Sequence, residues 1–171
     1  MAAWSASVER PSRLALGVEV QAYPAGVIPG LHAEWALDDH SVLTARLAAN
    51  ITDRKDYGEH DDEEGDGFGG GVGYRHFFGE DLDGWLLGAR VDLWDLEIDW
   101  REDPPPAASG STDVLVLQPT IEGGYGFRTP GSPWRVDATL SVGAEINVET
   151  SGEDVGEGAI VLLGVTATYG F

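Results

Sequence analysis

Residues Ala159–Phe171 read AIVLLGVTATYGF, and the other strand-like runs of the chain repeat their pattern. A strand points successive side chains to opposite faces. Ala159, Val161, Leu163, Val165, Ala167, Tyr169 and Phe171 therefore share one face, all of it apolar. The other face, Ile160, Leu162, Gly164, Thr166, Thr168 and Gly170, is smaller and more polar. As an open edge in water such a strand would recruit other chains. It must be closed into a barrel, with its apolar face against a core or against lipid.

The 171 residues suffice for one domain or one barrel. The 24 Gly and 6 Trp, with no run of 18 apolar residues, exclude a transmembrane helix and favour many short strands with tight turns. With no Cys, neither disulfides nor thiolate metal sites are available. The formal net charge of −20 repels phosphates, so nucleic acid is not an expected partner. Lys55 is the single lysine, an unusual scarcity for a soluble surface. Met1 to Ser12 lacks a basic patch followed by an apolar stretch, so no signal peptide is read there. Residues 1–11 are expected to be an N-terminal periplasmic segment of a mature chain, and 12–171 the barrel.

Seven further runs alternate: about Ser12 to Tyr23, Gly30 to Asp38, Val42 to Thr52, Gly67 to Phe78, Trp85 to Trp100, Asp113 to Arg128 and Trp134 to Val148. Pro24 to Pro29 is expected to break the chain between the first two. Long polar loops are expected over Asp53 to Gly67 and Arg101 to Thr112. In the fifth run the apolar residues change parity between Leu93 and Trp94, which predicts a β-bulge. The Gly67 to Phe78 run, with Gly69, Gly71 and Gly73 on one face, reads as the weakest strand. The count is eight, and the expected fold is all-β: an antiparallel up-and-down transmembrane β-barrel with short periplasmic turns and longer extracellular loops.

A soluble calycin-like barrel that binds a ligand shows the same alternation with its apolar face inward. Three features select the opposite orientation. The connections after the third, fifth and seventh strands read as long, and those after the second, fourth and sixth as short, as in a barrel whose rims face different compartments. Aromatic residues gather near strand ends, as two interfacial girdles require: Trp35, Trp85, Tyr125, Phe127 and Trp134 at one rim, Trp94 and Trp100 at the other. The polar face joins glycine and threonine to opposite charges, the filling a narrow lumen needs.

In these respects the chain resembles the small eight-stranded outer-membrane barrels of the OmpX and OmpA transmembrane type. In that family a terminal Phe preceded by alternating apolar residues is the signal read by the barrel-assembly machinery. Leu163, Val165, Tyr169 and Phe171 match it. The resemblance implies a bacterial outer-membrane location, with lipopolysaccharide and other outer-membrane lipids as surroundings and another envelope or surface protein as a further partner. It names no substrate.

The charged residues of the polar face, Glu19, Glu34, Arg46, Arg75, Arg90, Asp92, Glu122, Arg128, Arg135, Asp137 and Glu145, are expected to form a salt-bridged lumen plug rather than an ion path. Asp61, Asp62, Glu64 and Asp66 offer a hard-cation site as the lesser reading. A solvated loop is the greater one, because an EF-hand register would end on Gly73 rather than Glu. No cofactor or metal is expected. A lipid A hydrolase would need His, Ser and an acid at the outer rim, and of His32, His40, His60 and His76 only His60 falls on that side. The leading expectation is a noncatalytic outer-membrane barrel that displays acidic loops for envelope structure, adhesion or partner contact.

Overall fold

The computed structural model describes residues 13–55, 58–102 and 108–170. Alternation along the chain becomes strand pairing throughout: β1 (Leu14–Tyr23), β2 (Gly26–Ala36), β3 (Ser41–Lys55), β4 (Asp62–Phe77), β5 (Gly84–Arg101), β6 (Ser109–Arg128), β7 (Trp134–Ser151) and β8 (Gly158–Gly170). Each strand pairs antiparallel with the next, and β8 pairs with β1, so the sheet is a closed up-and-down barrel. Closure leaves no edge to recruit another chain. The start of β1 and the end of β8, Leu14 and Gly170, lie at one rim, here the terminal rim, with the 37–40, 78–83 and 129–133 connections. The 24–25 and 152–157 connections, with the described residues 58–61, 102 and 108 of two others, lie at the far rim.

Several expectations need correcting. β1 and β2 are joined by the two residues Pro24 and Ala25, and Pro29 lies within β2 opposite Val20. Pro29 faces outward and has no ladder partner on β3, so its missing N–H breaks no pairing there. The long acidic loop expected after β3 is largely strand, with Ile51 to Lys55 pairing with Asp66 to Asp62. Connections at the two rims are similar in length, and the asymmetry lies instead in β3 to β7, which run on past the far ends of β1, β2 and β8. The bulge expected between Leu93 and Trp94 is absent, because β5 pairs without a slip along its whole length. The register shift falls on β7, where Leu115 pairs with Glu149 and Val116 with Asn147, leaving Val148 as the extra residue.

β4 is fully paired on both sides, so its glycines do not make it a defect. Gly65, Gly67, Gly69, Gly71 and Gly73 stand opposite Ile98, Leu96, Trp94, Asp92 and Arg90 of β5. β-Carbons on these glycines would run into the neighbouring strand or its side chains. The bare stretch of β4 is the space that the large inward side chains of β5 occupy.

Candidate functional site

The barrel has two chemically distinct surfaces, its interior and its exterior. Lumen side chains fall into layers. Nearest the terminal rim, Val42, Phe77 and Leu86 form a small apolar cluster, and the Arg135 guanidinium lies 4.7 Å from the Phe77 ring centroid. Above it Arg75, completely buried, donates from Nε to Glu122 at 2.6 Å and from Nη1 to Asp137 at 3.3 Å. Arg135 donates to Asp137 at 2.8 Å and also to Glu34. At mid-height Arg90 meets Glu19 at 2.9 Å, while Arg46 donates to Asp92 at 2.7 Å and to Gln21 at 2.7 Å.

The five carboxylates Glu19, Glu34, Asp92, Glu122 and Asp137 face the four guanidiniums of Arg46, Arg75, Arg90 and Arg135. His32 is lodged among them, Nε2 3.1 Å from Glu34 and Nδ1 3.7 Å from Glu19, the one remaining group in these layers able to carry a fifth positive charge. Each ion of this network leans on its neighbours, because all of them are buried.

Higher still the interior changes character. Trp94, with no exposed surface, donates its indole N–H to Gln118 at 2.8 Å, and Arg46 sits 5.0 Å from its ring centroid. Beyond it Ile28, Leu96, Ile98, Val114, Val116, Val155, Ile160 and Leu162 make an apolar core. A cap follows: Arg54 bonds Glu145 at 2.8 Å and faces Glu63 at 3.4 Å. Of the expected lumen residues, Glu145 therefore belongs to this upper cap, separate from the main network. Arg128 lies at the terminal rim, donating to the Asp81 carbonyl at 3.0 Å. There a cavity of about 220 Å³ opens between Arg13, Val42, Leu82, Arg128 and Arg135.

The exterior changes in the opposite sense. Exposed apolar side chains ring all eight strands, among them Val18, Leu31, Leu47, Val72, Leu87, Ile121, Leu140 and Val165. Trp35, Tyr74, Phe78, Trp85, Tyr125, Phe127, Trp134 and Tyr169 cluster toward the terminal rim, with edge-on ring contacts between Trp85 and Tyr125 (5.4 Å) and between Trp134 and Tyr169 (5.1 Å). Phe68, 74 % exposed, marks the other margin of the belt. Past it most of the outward residues on β4 and β5 are acidic. Asp66, Glu97 and Asp113 face one another across β4, β5 and β6, as do Asp53, Glu64 and Asp99 across β3, β4 and β5.

Trp94 and Trp100 are thus not girdle residues. Trp94 is interior, and Trp100 packs half-buried against the upper core. The reason is the change of surroundings along β5. Outward Leu93 is followed by outward Asp95, Glu97 and Asp99, so from there on the barrel is greasy inside and charged outside. Asp62, Glu64 and Asp66 stand at alternate positions along β4, and among the described residues no group of three or more His, Cys, Asp or Glu is gathered as a metal site. Leu163 and Val165 face outward on β8 with Tyr169, while Phe171 lies outside the described residues, as do residues 1–12.

The histidines are dispersed. His32 is in the buried network, and His40 contacts the Gly79 carbonyl at 2.8 Å. His76 Nδ1 lies 3.3 Å from Ser41 Oγ, which also accepts from the Tyr74 hydroxyl at 3.0 Å. Among the described residues no carboxylate hydrogen-bonds His76, so this pair lacks the third member that would orient a base. Sequence reading places His60 on the outer side but misses that it binds three connections of the far rim together. Its signal would have been an aromatic partner, Trp100, at the top of an inward row.

Solved structures share this architecture. NspA, the Neisserial surface protein A, matches with a TM-score of 0.54 at 11% identity over 95% of this chain and 100% of that one. Ail of Yersinia pestis, in complex with the heparin analogue sucrose octasulfate, matches at 0.52 with 11% identity over 94% and 98%. The N-terminal β-barrel domain of Pseudomonas aeruginosa OprF matches at 0.51 with 13% identity over 94% and 100%. This chain has the fold of the small eight-stranded outer-membrane barrels. No family profile and no curated protein matches its sequence.

Proposed function

We propose that this barrel is a noncatalytic integral protein of the bacterial outer membrane, its terminal rim in the periplasm and its acidic extension outside the cell. One observation carries the reading: a continuous belt of exposed Leu, Val, Ile and aromatic residues that gives way at Phe68 to outward carboxylates. In water such a belt is an aggregation hazard, whereas in hydrocarbon it is the required surface. Its span, on the order of 25 Å, suits an outer membrane. Lipopolysaccharide and other lipids would surround it. The assembly machinery would read Leu163, Val165, Tyr169 and Phe171, and Trp35, Trp85, Tyr125, Phe127 and Trp134 would form the periplasmic girdle.

The buried ion-pair layers and the apolar core above them act as a plug. The acidic extension serves for envelope packing, adhesion or contact with a partner that is basic. A polyanion such as the heparin analogue carried by Ail is the wrong class for it, since like charges repel. Fractionation tests the location: the protein is expected in the outer-membrane fraction, with heat-dependent gel mobility, and recovery in detergent-free supernatant would favour a soluble ligand-binding barrel. Planar bilayers test the plug, with no steady conductance expected. Lipid A from cells with and without the protein is expected to have the same acyl composition; a difference would favour a hydrolase.

A further inference from the structure

Three connections of the far rim meet at His60. Its Nδ1 lies 2.7 Å from Glu102 Oε1, and its Nε2 lies 2.9 Å from the carbonyl oxygen of Asp154. The ring stacks on Trp100, centroids 4.2 Å apart and planes 14° from parallel. A backbone carbonyl can only accept, and so can an ionised carboxylate. Both contacts are hydrogen bonds at once only when both ring nitrogens carry hydrogen. We propose that the His60 imidazolium latches a pH-sensitive lid: the 152–157 connection stays seated while His60 is protonated and lifts at Asp154 when the proton leaves.

What the lid covers is the apolar core of the far half of the barrel, because Val155 is buried there with Ile98, Val114 and Ile160. Its other attachments do not depend on His60. Glu63 accepts from the Gly156 N–H at 3.1 Å, Asn147 Nδ2 donates to the Val155 carbonyl at 2.9 Å, and Thr112 Oγ1 donates to the Glu153 carbonyl at 3.0 Å. With those in place the strap swings and does not detach.

The charged groups around the ring come from every element that meets it. Glu102 faces it from beyond β5, and Glu63 at the start of β4 accepts the His60 backbone N–H at 3.2 Å. Arg54 of β3 and Glu145 of β7 stand behind Glu63. Arg101 and Asp62 form a pair beside Trp100, Glu59 and Asp61 flank the ring in sequence, and the strap brings the carboxylates of Glu153, Asp154 and Glu157. Burial against Trp100 disfavours the imidazolium. The Glu102 carboxylate, the Asp154 carbonyl and the charge of Glu63 outweigh it, so the pKa is raised above its ordinary value. Once neutral, the ring has one N–H for two acceptors, and one connection loses its donor.

Hydrogen exchange read by mass spectrometry on the full chain folded in detergent micelles tests this. After correction for the intrinsic rate, the peptide spanning Gly152 to Gly158 should lose protection by about tenfold between about pH 6 and about pH 9. His60→Phe, which keeps the aromatic stack and removes both donors, should hold that peptide at the reduced protection of high-pH wild type at every pH. Glu102→Gln, a smaller change, should move the wild-type midpoint to lower pH. Constant protection in the wild type, the wild-type pH profile in His60→Phe, or an unmoved midpoint in Glu102→Gln would each overturn the latch.

Discussion

Gly69 of β4 stands directly opposite Trp94 of β5, and a β-carbon on Gly69 would fall on the indole ring. That relationship makes room for the largest fully buried side chain, at the level where ion pairs end and the apolar core begins. Gly69→Ala is therefore expected to destabilise the barrel by about 1–3 kcal/mol through overpacking. Gly123→Ala on β6, where the nearest atom to an added β-carbon is 4.0 Å away, should stay within about 0.5 kcal/mol of wild type. Urea unfolding of the refolded protein, followed by tryptophan emission, measures both.

Arg75 is the hub of the lower ion-pair layer, within 4 Å of Glu19, Glu34, Glu122 and Asp137. Arg75→Met leaves several buried carboxylates without their shared cation, and the expected loss is about 3–5 kcal/mol. Adding Glu122→Gln removes one of those charges. The double variant should therefore be more stable than Arg75→Met alone, and unfolding midpoints of the three proteins give the comparison.

Eight strands are legible in the sequence because side chains alternate in any solvent, as β7 shows from Trp134 to Val142. What alternation cannot reveal is which solvent each face meets, or that the answer changes along one strand. The step from Leu93 to Trp94 looks like a slip of one residue, yet β5 is regular, and the exterior passes from an apolar belt to acidic residues at that height. For the same reason Asp53 to Gly67 reads as loop. Asp53, Glu64 and Asp66 are on the water-facing half of a strand pair whose other half, Thr52, Arg54 and Glu63, is buried. The ion-pair partners join residues as far apart as Glu34 and Arg135, a pairing fixed by the height and angle of each strand and absent from local pattern.

His60 makes stability depend on pH with a definite sign. A histidine whose pKa is raised on folding contributes its full stabilisation below the unfolded value of about 6.5, and that contribution disappears as pH rises through the higher folded value. Wild type is thus expected to be more stable than His60→Phe at about pH 6, with the difference shrinking toward about pH 9. Unfolding midpoints in urea across that range would show it, and a gap that widens with pH would contradict the protonated ring.

Leu140 and Glu97 both point outward, one from the apolar belt on β7 and the other from the acidic extension on β5. In a membrane these positions meet hydrocarbon and water respectively, so the same substitution should have opposite consequences. Leu140→Arg would carry a charge into lipid at a cost of about 2–4 kcal/mol, depending on depth. Glu97→Arg would replace like-charge repulsion from Asp66 and Asp113, its neighbours on β4 and β6, with attraction, and should be neutral or stabilising by up to about 1 kcal/mol. Folding yield and unfolding midpoint in phosphatidylcholine vesicles measure the contrast. Equal tolerance of arginine at the two positions would mean that the belt faces water, and with that the membrane location would fall.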